Sequence, residues 1–255
     1  MSAPGAHSLV PLLKELRLNG MQETLEARLS EARTAKLSHV ELLSVLFQDE
    51  IARRNGARVE RLVRAARFPV QATLEGFDFA ANAKVPAELI RDLSRLEFVE
   101  AGEGVVLYGP VGVGKSHIAA ALGHIACRRG YEVLFTTCSR LLAELAGGHA
   151  DRSFDARLAR LARPTILIID DFAMREFTVN QADDFYELLT ARLGRPRRSI
   201  VLTSNRAPSD WYSLFPNAVV GESILDRLLN SCHHVLMEGK SYRPNRRPGT
   251  RATRP

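Results

Sequence analysis

The run GVVLYGPVGVGKS, Gly104 to Ser116, decides how the rest of the chain is read. Gly104 to Tyr108 is short, apolar and rich in β-branched residues, the composition of a strand buried on both faces. Gly109-Pro110-Val111-Gly112-Val113-Gly114-Lys115-Ser116 follows and matches G-x-x-x-x-G-K-[ST] in full. The next stretch, HIAAALGHIACRR, is Ala-rich and helix-forming. Strand, loop and helix in that order predict a phosphate-binding loop. The three glycines let the backbone curl so that its N–H groups converge on phosphate oxygens. The helix start adds a partly positive end. Lys115 supplies a charge for the β- and γ-phosphates, and Ser116 a hydroxyl for Mg²⁺.

A second apolar run, Thr165 to Asp171, ends in two carboxylates, Asp170 and Asp171. Packing alone gives a buried strand no reason to end this way. The carboxyl edge of an open α/β sheet is where such folds bind ligands. There Asp170 would hold Mg²⁺ through water, across from Ser116, and Asp171 would orient or polarise the attacking water. The separation of 55 positions from Lys115 to Asp170 leaves room for a helix, a strand and another helix, so the two strands can be neighbours in the sheet. Ser199 to Thr203 is the next strand, followed by Ser204-Asn205-Arg206. An Asn at a strand end is by itself a turn former. Beside the carboxylate strand, Asn205 can instead bond the γ-phosphate or the lytic water. Gly221 to Ser231 is a short helix with Ile224, Leu225, Leu228 and Leu229 apolar. Asp226 and Arg227 interrupt it, as a surface ion pair or, for Arg227, as an arginine finger.

Working outward, residues 1–67 read as helical. Ser8 to Arg17 carries Leu9, Leu12, Leu13 and Leu16; Asn19-Gly20 interrupts; Met21 to Arg33 has Leu25 and Leu29 on one face. Ser38 and Glu41 have capping-box spacing ahead of a longer helix that Asn55-Gly56 can break. This unit is either a bundle packed for stability or a recognition and assembly domain. Residues 68–84 read as a linker, with Phe77 and Phe79 as aromatic anchors of an extended piece. Pro86 to Phe98 is helical. Tyr131 to Thr136 is a strand, Ser139 to Ala146 a helix ended by Gly147-Gly148, Phe154 to Arg163 a helix, and 180–193 another. Strands alternating with helices argue for a parallel sheet with covered faces.

Composition limits the classes. The 255 residues are 45% hydrophobic and 25% charged, with no apolar run near a membrane span and no secretory leader pattern at the N-terminus. Cys127, Cys138 and Cys232 have neither metal nor disulfide spacing, which suits core or half-buried thiols in a reducing cytosol. Net charge is +6. Lys240 to Pro255 carries six basic residues and no acidic one, a tail that either solubilises or meets nucleic-acid phosphates.

The order of these pieces resembles the AAA+ ATPases, and more narrowly the IstB-type transposition helper ATPases and the related DnaC/DnaI helicase loaders. The resemblance rests on LLKELRLNGMQETLEARLSEA, DEIARRNGARVERLVRAARFP and TLEGFDF in the N-terminal part. In the ATPase part it rests on VVLYGPVGVGKSHIAAALG, GYEVLFTT, ILIIDDF, VLTSN, ILDRLL and GKSYR. The N-terminal matches favour the transposition helpers. The resemblance implies an α/β AAA+ P-loop fold, a parallel sheet covered by helices after a small all-helical domain. Its parts would be residues 1–67 for DNA binding or assembly, linker 68–84, ATPase domain 85–239 and basic tail 240–255.

The resemblance makes Gly109 to Ser116 the Walker A motif, with nucleotide contacts from Gly109, Pro110, Val111, Gly112, Val113, Gly114, Lys115, Ser116 and His117. It makes Asp170-Asp171 Walker B, Asn205 sensor I and Arg227 a finger reaching a neighbouring subunit's ATP. Arg243 falls where a sensor II-like arginine can lie. Many AAA+ proteins have Asp-Glu in Walker B; Asp171 is shorter, which points to slow hydrolysis. Ala173 stands where the family usually has Gly, so the turn after the strand is expected to differ. The implied protein is a cytoplasmic, Mg²⁺-dependent, DNA-stimulated ATPase that forms an ATP-dependent oligomer on double-stranded DNA and recruits or stimulates a partner transposase (IstA-like), away from membranes. The basic turn at Arg195 to Arg198, the tail and the N-terminal helices are its candidate DNA surfaces. The other reading is a replicative helicase loader that uses ATP as a binding switch.

Overall fold

The computed structural model describes residues 6–80 and 84–242, which divide into two compact units at Arg61/Leu62. The first unit contains α1 (Ala6–Glu15), α2 (Asn19–Ala35) and most of α3 (His39–Ala66). Met21, Leu25 and Leu46 form its buried centre, with Leu13, Leu29 and Leu42 packed around them. The face expected on α1 is only partly used, since Leu9, Leu12 and Leu16 are exposed. The Ser38–Glu41 capping box forms reciprocally: Ser38 N–H donates to Glu41 Oε2 at 2.7 Å, and Glu41 N–H to Ser38 Oγ at 3.3 Å.

Two helix breaks expected from Asn-Gly pairs are corrected. The break before α2 falls at Leu16–Leu18, where Arg17 has φ 56°, and Asn19-Gly20 opens α2 instead. Buried Glu50 on α3 accepts the Gly20 N–H at 2.6 Å and that of Met21 at 3.3 Å, so a carboxylate from another helix does the work of a local cap. Burial alone would raise the Glu50 pKa, but Arg54 and these two N–H groups outweigh it and hold the carboxyl below its usual value. A Cβ on Gly20 would come within 2.8 Å of the Glu50 Cα, so the glycine permits this approach. At Asn55-Gly56, α3 runs on unbroken for 28 residues. Gly56 faces open space, and one exposed helical glycine costs only about 1 kcal/mol.

The second unit begins at Leu62. It holds α4 (Ala87–Leu93), α5 (Glu97–Ala101), β1 (Gly104–Tyr108), α6 (Lys115–Arg128), β2 (Val133–Thr137), α7 (Cys138–Asp151) and α8 (Phe154–Ala162). Then come β3 (Ile166–Phe172), α9 (Val179–Arg192), β4 (Ser199–Ser204), a 3-10 segment at Pro208–Leu214, α10 (Ala218–Asn230) and β5 (Cys232–Leu236). The five strands are all parallel, in the order β2-β3-β4-β1-β5. Period-two alternation divides each inner strand between two cores. Val105, Leu107, Ile166, Ile168 and Val201 face α4, α5 and α6; Val106, Leu167, Ile169, Ile200 and Leu202 face α7 to α10.

β1 and β3 are not neighbours, because β4 lies between them. Chain length allowed adjacency, but the later crossover through α9 inserts β4 into that place. The helix expected over Pro86 to Phe98 is two helices, broken where Leu96 adopts φ 59° with its side chain in the core. Gly147 and Gly148 do not end α7, which continues to Asp151. A Cβ on Gly148 would meet Phe154 Cα at 2.7 Å, so this glycine is a notch for α8.

β5 was not legible in the sequence. CHHVL is polar for a strand, but at a sheet edge one polar side is tolerated. In residues 68–80, Ala72 is buried, and Phe77 and Phe79 pack on the core through a turn in which Phe77 N–H donates to Leu74 O at 3.1 Å. Cys127 and Cys138 are buried and Cys232 is half-buried; burial pushes the three thiols up to about 11, about 12 and about 12. Among the described residues no helix is long and apolar enough to cross a membrane.

Candidate functional site

Because the strands are parallel, the segments leaving β1, β3 and β4 meet at one edge of the sheet. The loop after β1 requires positive φ at Gly109 (140°), Gly112 (85°) and Gly114 (102°), values other residues rarely adopt. It is also tightly packed. A side chain on Gly114 would enter Phe77, and one on Gly112 would enter Ser241, while Tyr242 N–H donates to Gly112 O at 2.9 Å. Val113 is buried; Pro110 and Val111 are exposed. Lys115 is only 6% exposed and donates from Nζ to Gly109 O at 2.7 Å and Pro110 O at 2.6 Å. The ammonium is thus held against the loop that it would serve. His117, in the first turn of α6, is bonded through Nε2 to Thr73 O at 2.9 Å and tilted against Phe77.

β3 meets the loop at Asp170. Ser116 Oγ donates to Asp170 Oδ1 at 2.8 Å, linking the first turn of α6 to a strand 54 residues later. β3 does not end at the carboxylates, as the sequence suggested, but continues to buried Phe172. The pair is presented by a bulge instead. Ile169 is level with Leu202 and Phe172 with Ser204, so Asp170 and Asp171 together oppose only Thr203. Asp171 takes φ 55° and is exposed, while Asp170 is 8% exposed.

Thr203 resolves the mismatch and was missed in the sequence. Its hydroxyl donates to Asp170 Oδ1 and accepts the Asp171 N–H at 3.1 Å. Only its place one residue before a polar strand tip hinted at this role. The turn beyond the bulge keeps a left-handed conformation at buried Ala173, φ 61°, which costs a non-glycine residue about 1–2 kcal/mol.

Asn205 follows β4 directly and donates from Nδ2 to Met174 Sδ at 3.2 Å, beside the bulge. Arg227 is elsewhere. On α10 it donates to Thr190 Oγ1 at 3.1 Å and Tyr186 Oη at 3.3 Å, with its guanidinium 5.1 Å from the Tyr186 ring centroid. The Asp226–Arg227 pair is not formed; Asp226 accepts from Asn230 at 2.6 Å. Arg243 lies outside the described residues. The structure therefore gathers the loop, Lys115, Ser116, Asp170, Asp171 and Asn205 at one edge, and holds Arg227 on α9. For a hard divalent cation the donors fit in kind: the Ser116 hydroxyl and an Asp170 carboxylate oxygen stand side by side.

Residues 11–249 match the family described as IstB-like ATP binding protein. A Mycobacterium tuberculosis protein named for ATP binding in an insertion sequence is 54% identical over 239 residues, 93% of this chain and 94% of that protein. A Pseudomonas aeruginosa protein named for ATP binding in insertion sequence IS21 is 35% identical, covering 93% of this chain and 89% of its own length. Two solved structures share the fold at low identity. DnaI has a TM-score of 0.56 at 19% identity, over 71% of this chain and 92% of its own. Replication initiator DnaA bound to AMPPCP and single-stranded DNA has a TM-score of 0.58 at 18%, over 68% of this chain and 52% of its own. With an AAA+ P-loop fold, an intact phosphate loop and a match over nearly its whole length, the chain belongs to the IstB-like ATP-binding proteins.

Proposed function

We propose that this protein is an ATP-dependent transposition helper that assembles on double-stranded target DNA and recruits or stimulates a partner transposase, with hydrolysis regulating the assembly. The observation that carries the catalytic part is the Ser116–Asp170 hydrogen bond of 2.8 Å beside the phosphate loop. It joins the two oxygens that would hold Mg²⁺. Lys115 would neutralise the β- and γ-phosphates, Asp171 would orient water, and Asn205 would bond the γ-phosphate or that water. Arg227 would reach a neighbour's nucleotide, and Arg243 would act as a sensor II-like arginine. The part in transposition is supported by the insertion-sequence names of the relatives. The helicase-loader reading has only fold likeness behind it.

Assembly is tested with duplex DNA, Mg²⁺ and ATP by analytical ultracentrifugation, then with the integrase-type transposase that the neighbouring open reading frame is expected to encode. The expected result is a nucleotide-dependent nucleoprotein oligomer that captures the transposase. Capture of a replicative helicase without capture of the transposase would overturn the reading.

Thr203→Val keeps the side-chain shape but removes one hydrogen bond to a carboxylate and strands the Asp171 N–H. Such bonds contribute about 1.5–3 kcal/mol. ATPase activity is expected to fall by at least about tenfold, with more Mg²⁺ needed for half-maximal rate and Thr203→Ser restoring both. An unchanged Mg²⁺ titration would reject the positioning role.

A further inference from the structure

Six arginines collect at the end of the sheet opposite the phosphate loop. Val133, Ile166 and Ser199 are level in register on adjacent strands β2, β3 and β4. The turns entering these strands therefore lie side by side. With the last residue of α6, Arg128, they carry Arg129, then Arg163, then Arg195, Arg197 and Arg198. All are exposed except half-buried Arg198.

The turns are held together. Arg197 N–H donates to Val99 O at 3.1 Å, Arg129 Nη1 to Arg95 O, and Arg198 Nη1 to Arg163 O. Beneath them Arg192 is fully buried. It donates to Leu161 O at 3.0 Å, Ala162 O at 2.7 Å, Thr165 O at 3.3 Å and Ser199 O at 2.8 Å, tying the turn before β3 to the start of β4. Carboxylates answer only part of the surface charge: Glu132 lies 3.4 Å from Arg163 and Glu100 lies 3.0 Å from Arg197. Among the described residues Arg128, Arg129, Arg195 and Arg198 have no carboxylate partner.

No large apolar side chain is exposed in these turns, so nothing there anchors a lipid surface or a protein core. What the row offers is planar guanidinium groups, suited to phosphate oxygens. From β2 to β4 it spans about 10 Å, over which duplex DNA carries about six charges.

We infer that this row of turns is a docking surface for the backbone of duplex DNA. The inference rests on the DNA-bound assembly proposed above and names the face that would meet the DNA. Nucleotide and DNA would occupy opposite ends of one sheet, so neither blocks the other. The contact is to phosphate, without base readout.

The test is fluorescence anisotropy of a labelled duplex with full-length wild type and Arg128→Ser/Arg195→Ser, across a salt series. The side chains of both residues lie outside the hydrogen bonds that hold the turns, and a melting curve checks folding. The variant is expected to bind about tenfold more weakly, and its slope of log affinity against log salt to be lower by about 1.8. A wild type with a steep salt slope and a variant identical to it would remove this surface and leave the proposed function standing. A wild type that binds no duplex DNA would remove both. Loss of binding to phosphatidylserine vesicles with unchanged DNA binding would make the partner a membrane and overturn the inference.

Discussion

Lys115→Ala is expected to lower Mg²⁺-dependent ATP hydrolysis by at least about 100-fold, the scale of removing one preorganised charged donor from a transition state. Lys115 is buried at the mouth of the loop, and Gly109 O and Pro110 O each accept a hydrogen bond from its ammonium. The position of the charge is thus set before a nucleotide arrives. Its substitution removes a full charge from the phosphates, which the loop N–H dipoles do not replace. Turnover, ATP affinity and melting temperature are to be measured together. Activity unchanged in a variant that melts like wild type would refute the site.

Arg227→Ala is expected to lower turnover of the assembled protein by about 10³-fold, the low end for an arginine finger. Within its own subunit the guanidinium is oriented by Tyr186 and Thr190 on α9, not by the phosphate loop. That geometry fits a group presented to another molecule. Mixing Arg227→Ala with Lys115→Ala subunits separates the cases. A finger acting across the interface gives mixed assemblies in which an intact loop meets an intact arginine, and activity reappears. An arginine acting only within its subunit restores nothing beyond the parents.

The sequence by itself determined the parts of this protein whose physics is local. A positive-φ glycine loop between a β-branched strand and an Ala-rich helix has one reading, and the capping spacing of Ser38–Glu41 forms as spelled. Family membership was legible for the same reason, since these motifs recur in order along the chain. The tertiary structure alone decided what depends on partners distant in sequence. Gly20 and Gly148 read as breakers but permit close approach, because Glu50 and Phe154 come to them from other helices. β5 became a strand only because β1 offered it an edge. β4 settled between β1 and β3, and its Thr203 met a bulge that no spacing announces. The carboxylate pair was visible in the sequence. Its geometry was not, because the residue that fixes it stands on another strand and acts through hydrogen bonds that form only when the sheet is assembled.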